Sequence, residues 1–293
     1  MERMTSDSAL TAQTPENTAR DEHPEIVDGV ALYPRRPAQS AHRPPIVLAH
    51  GGMHGAWVWA DMQEWLAQRG WRSVAFDFLS HGRSRALPEH EWVSRSLTEG
   101  AFEIDVACAS VADAPLPPVV LGWSMGGLSV LAHAATSDRP LSALVLLCPV
   151  VPAPFGSAAI PLPVPVDPGV PFPAFPPEVA RALFYDGMTL DEAAPLAGRL
   201  QAESPRAVIE ATQWTGVVDV TRIHVPTLAI GAENDRMVPP DYVHALADVL
   251  PTASFVHLPG AGHGIPVNPN WPTLISMITQ WLDLVAVPTA PAG

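Results

Sequence analysis

The 293-residue sequence contains no lysine, since all 16 of its basic residues are arginines. Without lysine the protein cannot form a Schiff base with a carbonyl substrate or with pyridoxal phosphate. It also lacks the lysine of a Walker-type phosphate loop and has no lysine that could act as a general base. These three kinds of chemistry are therefore excluded before any motif is considered.

Positive charge is scarce as well, because the 16 arginines face 30 acidic residues and leave a formal net charge of −14. The sequence has no basic run of the kind that binds nucleic-acid phosphates or anionic lipid surfaces. We therefore expect a small hydrophobic molecule as partner, and no nucleic acid. The sequence leaves the oligomeric state open.

Cysteines and long apolar runs are also few. The longest apolar runs, such as residues 143–147, are far shorter than the roughly 20 residues that cross a bilayer, so no membrane span is expected. Residues 1–25 are polar and mostly acidic, and they are predicted to be a disordered leader rather than a signal peptide. Cys108 and Cys148 lie in apolar segments, which favours two buried reduced thiols and a cytoplasmic location.

Short apolar runs alternate with amphipathic stretches along most of the chain, a pattern typical of strands and helices that build a parallel sheet. The predicted strands are residues 46–49, 73–76, 119–121, 144–147, 227–230 and 254–257. The predicted helices are residues 56–68, 97–111, 125–135, 241–249 and 271–284. The fold class is therefore α/β, with a mostly parallel central sheet flanked by helices, and ligands of such sheets bind beyond the carboxyl ends of the strands.

One segment interrupts this alternation. Residues 149–177 contain 11 prolines in 29 positions, and proline removes a backbone donor and fixes φ, so neither a helix nor a central strand can run through them. Residues 177–214 then read as two or three short helices. We interpret residues 151–216 as a lid inserted into a core of residues 26–150 and 217–293; the alternative is a long loop packed on the surface.

The clearest motif follows the predicted strand at 119–121. Residues 122–126 read Gly-Trp-Ser-Met-Gly and precede a helical run, which is G-x-S-x-G in a strand, turn and helix context. In such a turn the serine hydroxyl is exposed on a strained backbone, and side chains at the glycine positions would collide with the neighbouring strand and helix. Ser124 is therefore the candidate nucleophile.

A serine nucleophile needs a histidine base that is oriented by a carboxylate. In sheets of this type the chain order is Ser, acid, His. Asp235 follows the predicted strand at 227–230, and His263 lies in a glycine-rich loop after the strand at 254–257. Glu233 and the more distant Asp219 compete with Asp235 for the role of acid. His257 competes with His263, although it falls inside a strand.

An acyl-transfer intermediate also needs two backbone N–H donors for its oxyanion. We assign one to Met125, the residue after the nucleophile, and the other to Gly52 in the glycine-rich loop after the first strand, with Met53 as the alternative. His50 and His54 are four residues apart in that loop, but they lie among glycines without a third ligand nearby, so a metal site is rejected.

These motifs resemble the α/β-hydrolase superfamily over about residues 46–284. The run His-Gly-Gly-Met-His-Gly-Ala-Trp-Val-Trp at residues 50–59 is similar to the branch that holds plant methylesterases and hydroxynitrile lyases. The serine turn also resembles that of the cofactor-free haloperoxidases. The resemblance implies an α/β-hydrolase fold, a Ser124, Asp235 and His263 triad, an oxyanion hole of Gly52 and Met125, and no cofactor.

The sequence departs from the lyases, which have a hydroxyl residue in place of Gly51 and use a lysine to receive cyanide. We therefore expect a serine hydrolase that cleaves a carboxylic ester, lactone or thioester of a small hydrophobic molecule. The alternatives are a non-hydrolytic enzyme of this fold (acyltransferase, cyclase or C–C lyase) and, less favoured, a ligand receptor. The predicted substrate pocket comprises Met53, Trp123, Phe155, Phe172, Phe184 and Tyr185, together with Met125.

Overall fold

A computed structural model describes residues 23–39 and 42–286 of the chain. In these two ranges, eight strands form one sheet in the order β1-β2-β4-β3-β5-β6-β7-β8. The strands are β1 (Glu25–Val27), β2 (Val30–Arg35), β3 (Ile46–Ala49), β4 (Ser73–Asp77), β5 (Val119–Trp123), β6 (Ala143–Leu147), β7 (Thr227–Ala232) and β8 (Ala253–Leu258). Strand β2 runs antiparallel to both β1 and β4, and all other neighbours are parallel. The predicted mostly parallel sheet is confirmed.

Helices cover both faces of this sheet. They are α1 (Ala60–Gln68), α2 (Glu89–Trp92), α3 (Ala101–Ala109), α4 (Met125–Thr136), α5 (Pro177–Leu183), α6 (Leu190–Ala197), α7 (Pro205–Gln213), α8 (Pro240–Val249) and α9 (Trp271–Val285). Two of the predicted helices begin with a separate 3₁₀ turn, Ala56–Trp59 ahead of α1 and Leu97–Gly100 ahead of α3.

The core lies on both sides of the sheet, because successive side chains of a strand point to opposite faces. In β5, Val120 packs into the apolar layer that also holds residues of α3, α4 and α8. Its neighbours Val119 and Leu121 pack into the layer that holds residues of α1 and α9. All five residues of β5 are buried, so this central strand is fixed from both sides and holds the turn that follows it.

The sequence did not predict the two N-terminal strands. Strand β2 contains Pro34. From the sequence alone, a proline indicates that such a segment is an edge strand or a loop. In the structure Pro34 is tolerated because β2 joins the sheet beside β4, with Pro34 opposite Val74, and only the three-residue β1 lies beyond it. Of the predicted leader, residues 1–22 lie outside the described residues, and Glu25 already belongs to β1.

The proline-rich segment is irregular, as predicted. Between β6 and α5 its backbone forms neither helix nor strand, and among the described residues its one sheet-like contact is an antiparallel bridge from Phe172 to Glu203. Three short helices, α5, α6 and α7, follow it. Thr189 and Ser204 supply the N-terminal caps of α6 and α7 with their side chains. That residues 151–216 act as a lid remains a prediction.

The carboxyl ends of the parallel strands meet at one edge of the sheet. The candidate catalytic residues Ser124, Asp235 and His263 follow three of these strands, β5, β7 and β8.

Cys108 and Cys148 are both buried and free, which confirms the two predicted thiols. Within the described part of the chain, no helix is both long and apolar enough to cross a membrane.

Candidate active site

Ser124 lies on a sharp turn between β5 and α4. Its backbone has φ 55° and ψ −123°, a conformation that side-chain-bearing residues rarely adopt and that costs on the order of 1–3 kcal/mol. The flanking glycines are required by close approach: a Cβ at Gly122 would lie 2.7 Å from the carbonyl oxygen of Gly126, and a Cβ at Gly126 would collide with the carbonyl oxygen of His50. The local sequence therefore directs the Ser124 hydroxyl outward from the carboxyl-end edge of the sheet.

The structure brings Ser124, His263 and Asp235 into one hydrogen-bonded chain. Nε2 of His263 is 2.8 Å from Oγ of Ser124, and Nδ1 of His263 is 2.7 Å from Oδ2 of Asp235. Because a carboxylate can only accept, Nδ1 carries the proton, and Nε2 is left to accept from the serine hydroxyl. His263 is 1% exposed and Ser124 is 8% exposed, so little water competes for these hydrogen bonds.

Asp235 is held in place by the backbone that follows it. Its Oδ1 accepts hydrogen bonds from the N–H groups of Met237 at 2.7 Å and Val238 at 2.8 Å, which leaves Oδ2 for the histidine. Its rival Glu233 accepts from the N–H of Gly260 instead. Asp219 caps the 3₁₀ turn Val220–Arg222, and His257 is exposed on β8. None of the rivals joins the chain.

Cys148, which follows β6, lies beside this chain and was not predicted as part of the site. Within residues 23–39 and 42–286, one group of possible metal-binding side chains has its donor atoms within 4.8 Å of one another: Cys148, Asp235 and His263. Burial, and then the Asp235 carboxylate, raises the pKa of the Cys148 thiol well above its usual range. A metal ligand must be a thiolate, and Asp235 is already committed to hydrogen bonds, so these donors do not fit a metal ion.

The loop of residues 50–54, called the glycine loop below, runs beside Ser124 at the end of β3. A Cβ on Gly51 would lie 3.1 Å from Cβ of Ser124, and one on Gly52 would collide with the thioether of Met125. Met125 is the first residue of α4, so its N–H has no acceptor within the helix. The N–H of Met53, the alternative oxyanion donor, is already occupied by the carboxylate of Glu203 at 2.9 Å. The N–H of Gly52 has no acceptor among the described residues.

Two buried histidines shape the glycine loop from within. His50 donates from Nδ1 to the carbonyl oxygen of Gly51 at 2.8 Å and accepts at Nε2 from the N–H of Phe78 at 3.1 Å. His54 donates from Nδ1 to the carbonyl oxygen of Gly52 at 2.7 Å. Its Nε2 accepts from the hydroxyl of Tyr185 at 2.8 Å. All four ring nitrogens are used inside the protein, and each ring serves as a neutral donor and acceptor.

Acid is expected to destabilise the fold through these two rings. Burial lowers the pKa of His50 and of His54 from 6.5 to about 3, so both rings bind a proton on unfolding when the pH is below 6.5. The stability that these two neutral rings contribute is therefore complete above pH 6.5 and falls as the pH drops toward 3, by up to about 1.4 kcal/mol per pH unit for each ring. Chemical denaturation between pH 7 and 4.5 measures this slope.

The control for the acid prediction is an exposed histidine. We expect His54→Gln to reduce the slope of the unfolding free energy against pH by the share of one ring, up to about 1.4 kcal/mol per pH unit. His90→Gln should leave it unchanged, because the His90 side chain is 82% exposed. A free energy of unfolding that stays constant from pH 7 to 4.5 in the unmodified protein would contradict the buried neutral rings.

An apolar cavity opens directly at Ser124. Its walls are Gly52, Met53, Ser124, Met125, Val150, Ile160, Leu162, Phe175, Phe184, Val208, Ala211, Thr212, Met237 and Val238. The volume open to the centre of a water-sized sphere is about 30 Å³, far below the roughly 300–1,000 Å³ of pockets that bury a drug-sized ligand. An organic substrate can therefore enter only if surrounding side chains move.

Only part of the predicted substrate pocket lines this cavity. Met53, Met125 and Phe184 do, whereas Trp123, Phe155, Phe172 and Tyr185 do not. Trp123 is buried beneath the histidine loop and donates from Nε1 to the carbonyl oxygen of His263. Phe172 packs edge-on against Phe175, and the hydroxyl of Tyr185 is bonded to His54. Proline-rich backbone has no side-chain periodicity, so the sequence could not tell Phe175, Ile160 and Leu162 from their neighbours.

Known proteins resemble this chain both in sequence and in fold. A model of the alpha/beta hydrolase family matches residues 46–271. The chain is 29% identical to a monoacylglycerol lipase of Mycolicibacterium smegmatis over 254 residues, 81% of this chain and 87% of the relative. It is 27% identical to the polyneuridine aldehyde esterase of Rauvolfia serpentina over 128 residues, 42% of this chain and 46% of the relative. A solved monoacylglycerol lipase of Paleococcus ferrophilus has a TM-score of 0.65 at 20% identity, covering 86% of this chain and 98% of that one.

Proposed function

Because the chain belongs to the alpha/beta hydrolase family, we propose that it is a serine esterase that cleaves a carboxylic ester of a small hydrophobic molecule through an acyl-enzyme. The observation that carries the proposal is the buried hydrogen-bonded chain from Ser124 through His263 to Asp235, with distances of 2.8 Å and 2.7 Å. A hydroxyl in such a chain can lose its proton to the imidazole at the moment it attacks a carbonyl carbon.

The reaction has two halves. In the first, Oγ of Ser124 bonds to the ester carbonyl carbon while Nε2 of His263 takes the serine proton and then gives it to the departing alcohol. In the second, a water molecule attacks the acyl-serine, His263 accepts its proton, and the serine regains that proton as the acid leaves. Asp235 keeps the imidazole oriented and stabilises its positive charge in both halves.

The developing oxyanion needs donors that are in place before the reaction. We assign them to the N–H groups of Gly52 and Met125, because Met125 begins α4 and Gly52 lies against its side chain. The commitment of the Met53 N–H to Glu203 supports Gly52 over Met53 as the second donor.

The hydrophobic substrate class is supported by the cavity at Ser124, whose walls are almost entirely aliphatic and aromatic. The names of the relatives, a monoacylglycerol lipase and a polyneuridine aldehyde esterase, agree with an ester as substrate. We propose that residues 151–216 form a lid, because this segment supplies Ile160, Leu162, Phe175 and Phe184 to the cavity walls. Movement of the lid would then admit the acyl group.

A serine-directed fluorophosphonate combined with a panel of esters and thioesters of increasing chain length tests the proposal. We expect one equivalent of phosphonate on Ser124, detected by peptide mass spectrometry, and hydrolysis of apolar acyl esters that the same label abolishes. Adding an alternative alcohol acceptor separates hydrolysis from acyl transfer. Unlabelled Ser124, or labelling at another residue with activity retained, would contradict the mechanism.

A further inference from the structure

A carboxylate from the proposed lid reaches into the glycine loop. Oε2 of Glu203 accepts a hydrogen bond from the N–H of Met53 at 2.9 Å, although the two residues lie 150 positions apart in the chain. The N–H of Gln201 donates to the carbonyl oxygen of Met53, also at 2.9 Å. Both polar backbone groups of Met53 are thus held by residues two positions apart in the same segment.

Met53 needs such support because its backbone has φ 64°, in the left-handed region that costs energy for a residue with a side chain. The N–H of Met53 and the carbonyl oxygen of Gly52 belong to one peptide plane, and they point in opposite directions because the peptide is trans. Glu203 holds one side of this plane and His54 holds the other. The plane that follows Gly52 is therefore fixed.

The preceding plane carries the proposed oxyanion donor. The carbonyl oxygen of Gly51 accepts from Nδ1 of His50, so the N–H of Gly52, in the same plane, points away from that histidine. Gly52 joins the two planes and has no side chain to restrict its rotation. The direction of its N–H depends on both planes being held, and Glu203 holds the second.

Glu203 is itself fixed as a buried ion pair. It is 6% exposed, its Oε2 lies 3.2 Å from Nε2 of His81, and its Oε1 accepts from the N–H of Ser204. Burial would raise the pKa of Glu203, but the charge of His81 and the hydrogen bonds that the carboxylate accepts, including those from the N–H groups of Met53 and Ser204, together outweigh this and lower the pKa to about 2. Burial would lower the pKa of His81, and Glu203 raises it instead. The carboxylate is therefore ionised and a strong acceptor for the Met53 N–H.

We propose that Glu203 is a positioning residue for the oxyanion hole, which makes the hole complete only when residues 201–203 are seated on the glycine loop. This inference rests on the proposed esterase function. It links the lid to the chemistry, because a lid that lifts away removes the acceptor that orders the Gly52–Met53 peptide. Glu203 touches no reacting atom and acts through the loop.

The test compares Glu203→Gln with the matched variant Glu210→Gln. Glu210 is equally buried at 6% exposed and also lies in residues 151–216, but its carboxylate accepts from the N–H of Leu97 and the hydroxyl of Ser96, away from the glycine loop. We expect Glu203→Gln to lower kcat by about 10-fold, and Glu203→Ala by about 100-fold, since a lost oxyanion donor costs 10²–10³. KM should change by less than about threefold.

Glu210→Gln should lower the unfolding temperature while leaving kcat within about twofold of the parent, since its carboxylate contacts no part of the site. Equal kcat values for Glu203→Gln and Glu210→Gln would overturn the positioning role. An inactive parent protein whose Ser124 is not labelled would instead contradict the esterase proposal, so the two failures are distinguishable.

Amide hydrogen exchange on the unmodified protein gives a second test that needs no variant to fold. The Met53 N–H should exchange slowly, and the Gly52 N–H should become protected when an alkyl trifluoromethyl ketone binds. That ketone forms a bond between its carbonyl carbon and Oγ of Ser124, its oxygen becomes the oxyanion, and the serine proton passes to His263. A fast Met53 amide, or a Gly52 amide indifferent to the ketone, would overturn the inference.

Discussion

Replacing Ser124 with alanine is expected to abolish ester hydrolysis, with kcat falling on the order of 10⁶-fold. Alanine has no oxygen to bond to the carbonyl carbon, so the acyl-enzyme cannot form. His263 remains bonded to Asp235 through Nδ1, and what is lost is the 2.8 Å hydrogen bond between its Nε2 and the serine. Steady-state kinetics on the best ester of the panel, with phosphonate labelling in parallel, measures the effect.

The same substitution should leave the fold almost unchanged. The backbone at position 124 has a positive φ whether the residue is serine or alanine, so the strain of the turn is the same in both proteins. The loss of one hydrogen bond costs about 1 kcal/mol. The matched control is Ser129→Ala on α4, whose buried hydroxyl donates to the carbonyl oxygen of Leu97. The control should keep full activity, and retained ester turnover in Ser124→Ala would disprove the nucleophile.

Sequence reasoning succeeds here where the signal is local. The turn at Ser124 is encoded by Gly122 and Gly126, and the structure shows that a side chain at either position would strike backbone. The predicted strands within β3 to β7 are short and mostly apolar, as expected for strands buried on both faces, and all six predicted strands lie within observed strands. Ser124, Asp235 and His263 follow β5, β7 and β8 in this order along the chain, and these strands are parallel.

Sequence reasoning fails where a contact joins residues that are far apart in the chain and the residue type is a common one. Glu203 is one of 30 acidic residues, and nothing in its neighbourhood indicates that it meets Met53. Nothing in the sequence distinguishes Cys148 from any other buried thiol. The pairing of β6 with β7 in the sheet is what brings it beside Asp235. Phe172 and Phe175 are both aromatic residues among prolines, and only the path of an irregular backbone makes Phe175 a cavity wall. These positions depend on tertiary packing rather than on local propensity.

Replacing Asp235 with asparagine is the second substitution with a large expected effect, and its direction follows from the hydrogen bonds. Oδ1 of Asp235 accepts from two backbone N–H groups, those of Met237 and Val238. An asparagine must place its carbonyl oxygen there, because its NH₂ group would face two other donors. The NH₂ group is then directed at Nδ1 of His263, which can no longer donate and must accept.

An imidazole that accepts at Nδ1 carries its proton on Nε2, where it meets the hydroxyl of Ser124 and cannot act as a base. We therefore expect kcat to fall by about 10⁴-fold, the size of effect that the wrong histidine tautomer has in a serine triad. The control is Asp105→Asn, because Asp105 also contacts a histidine, His133, at 3.3 Å, but on α3, away from the site. Asp105→Asn should retain activity within about twofold. Equal activities for the two variants would mean that His263 does not depend on Asp235 for its tautomer, and the proton transfer assigned to it would then fail.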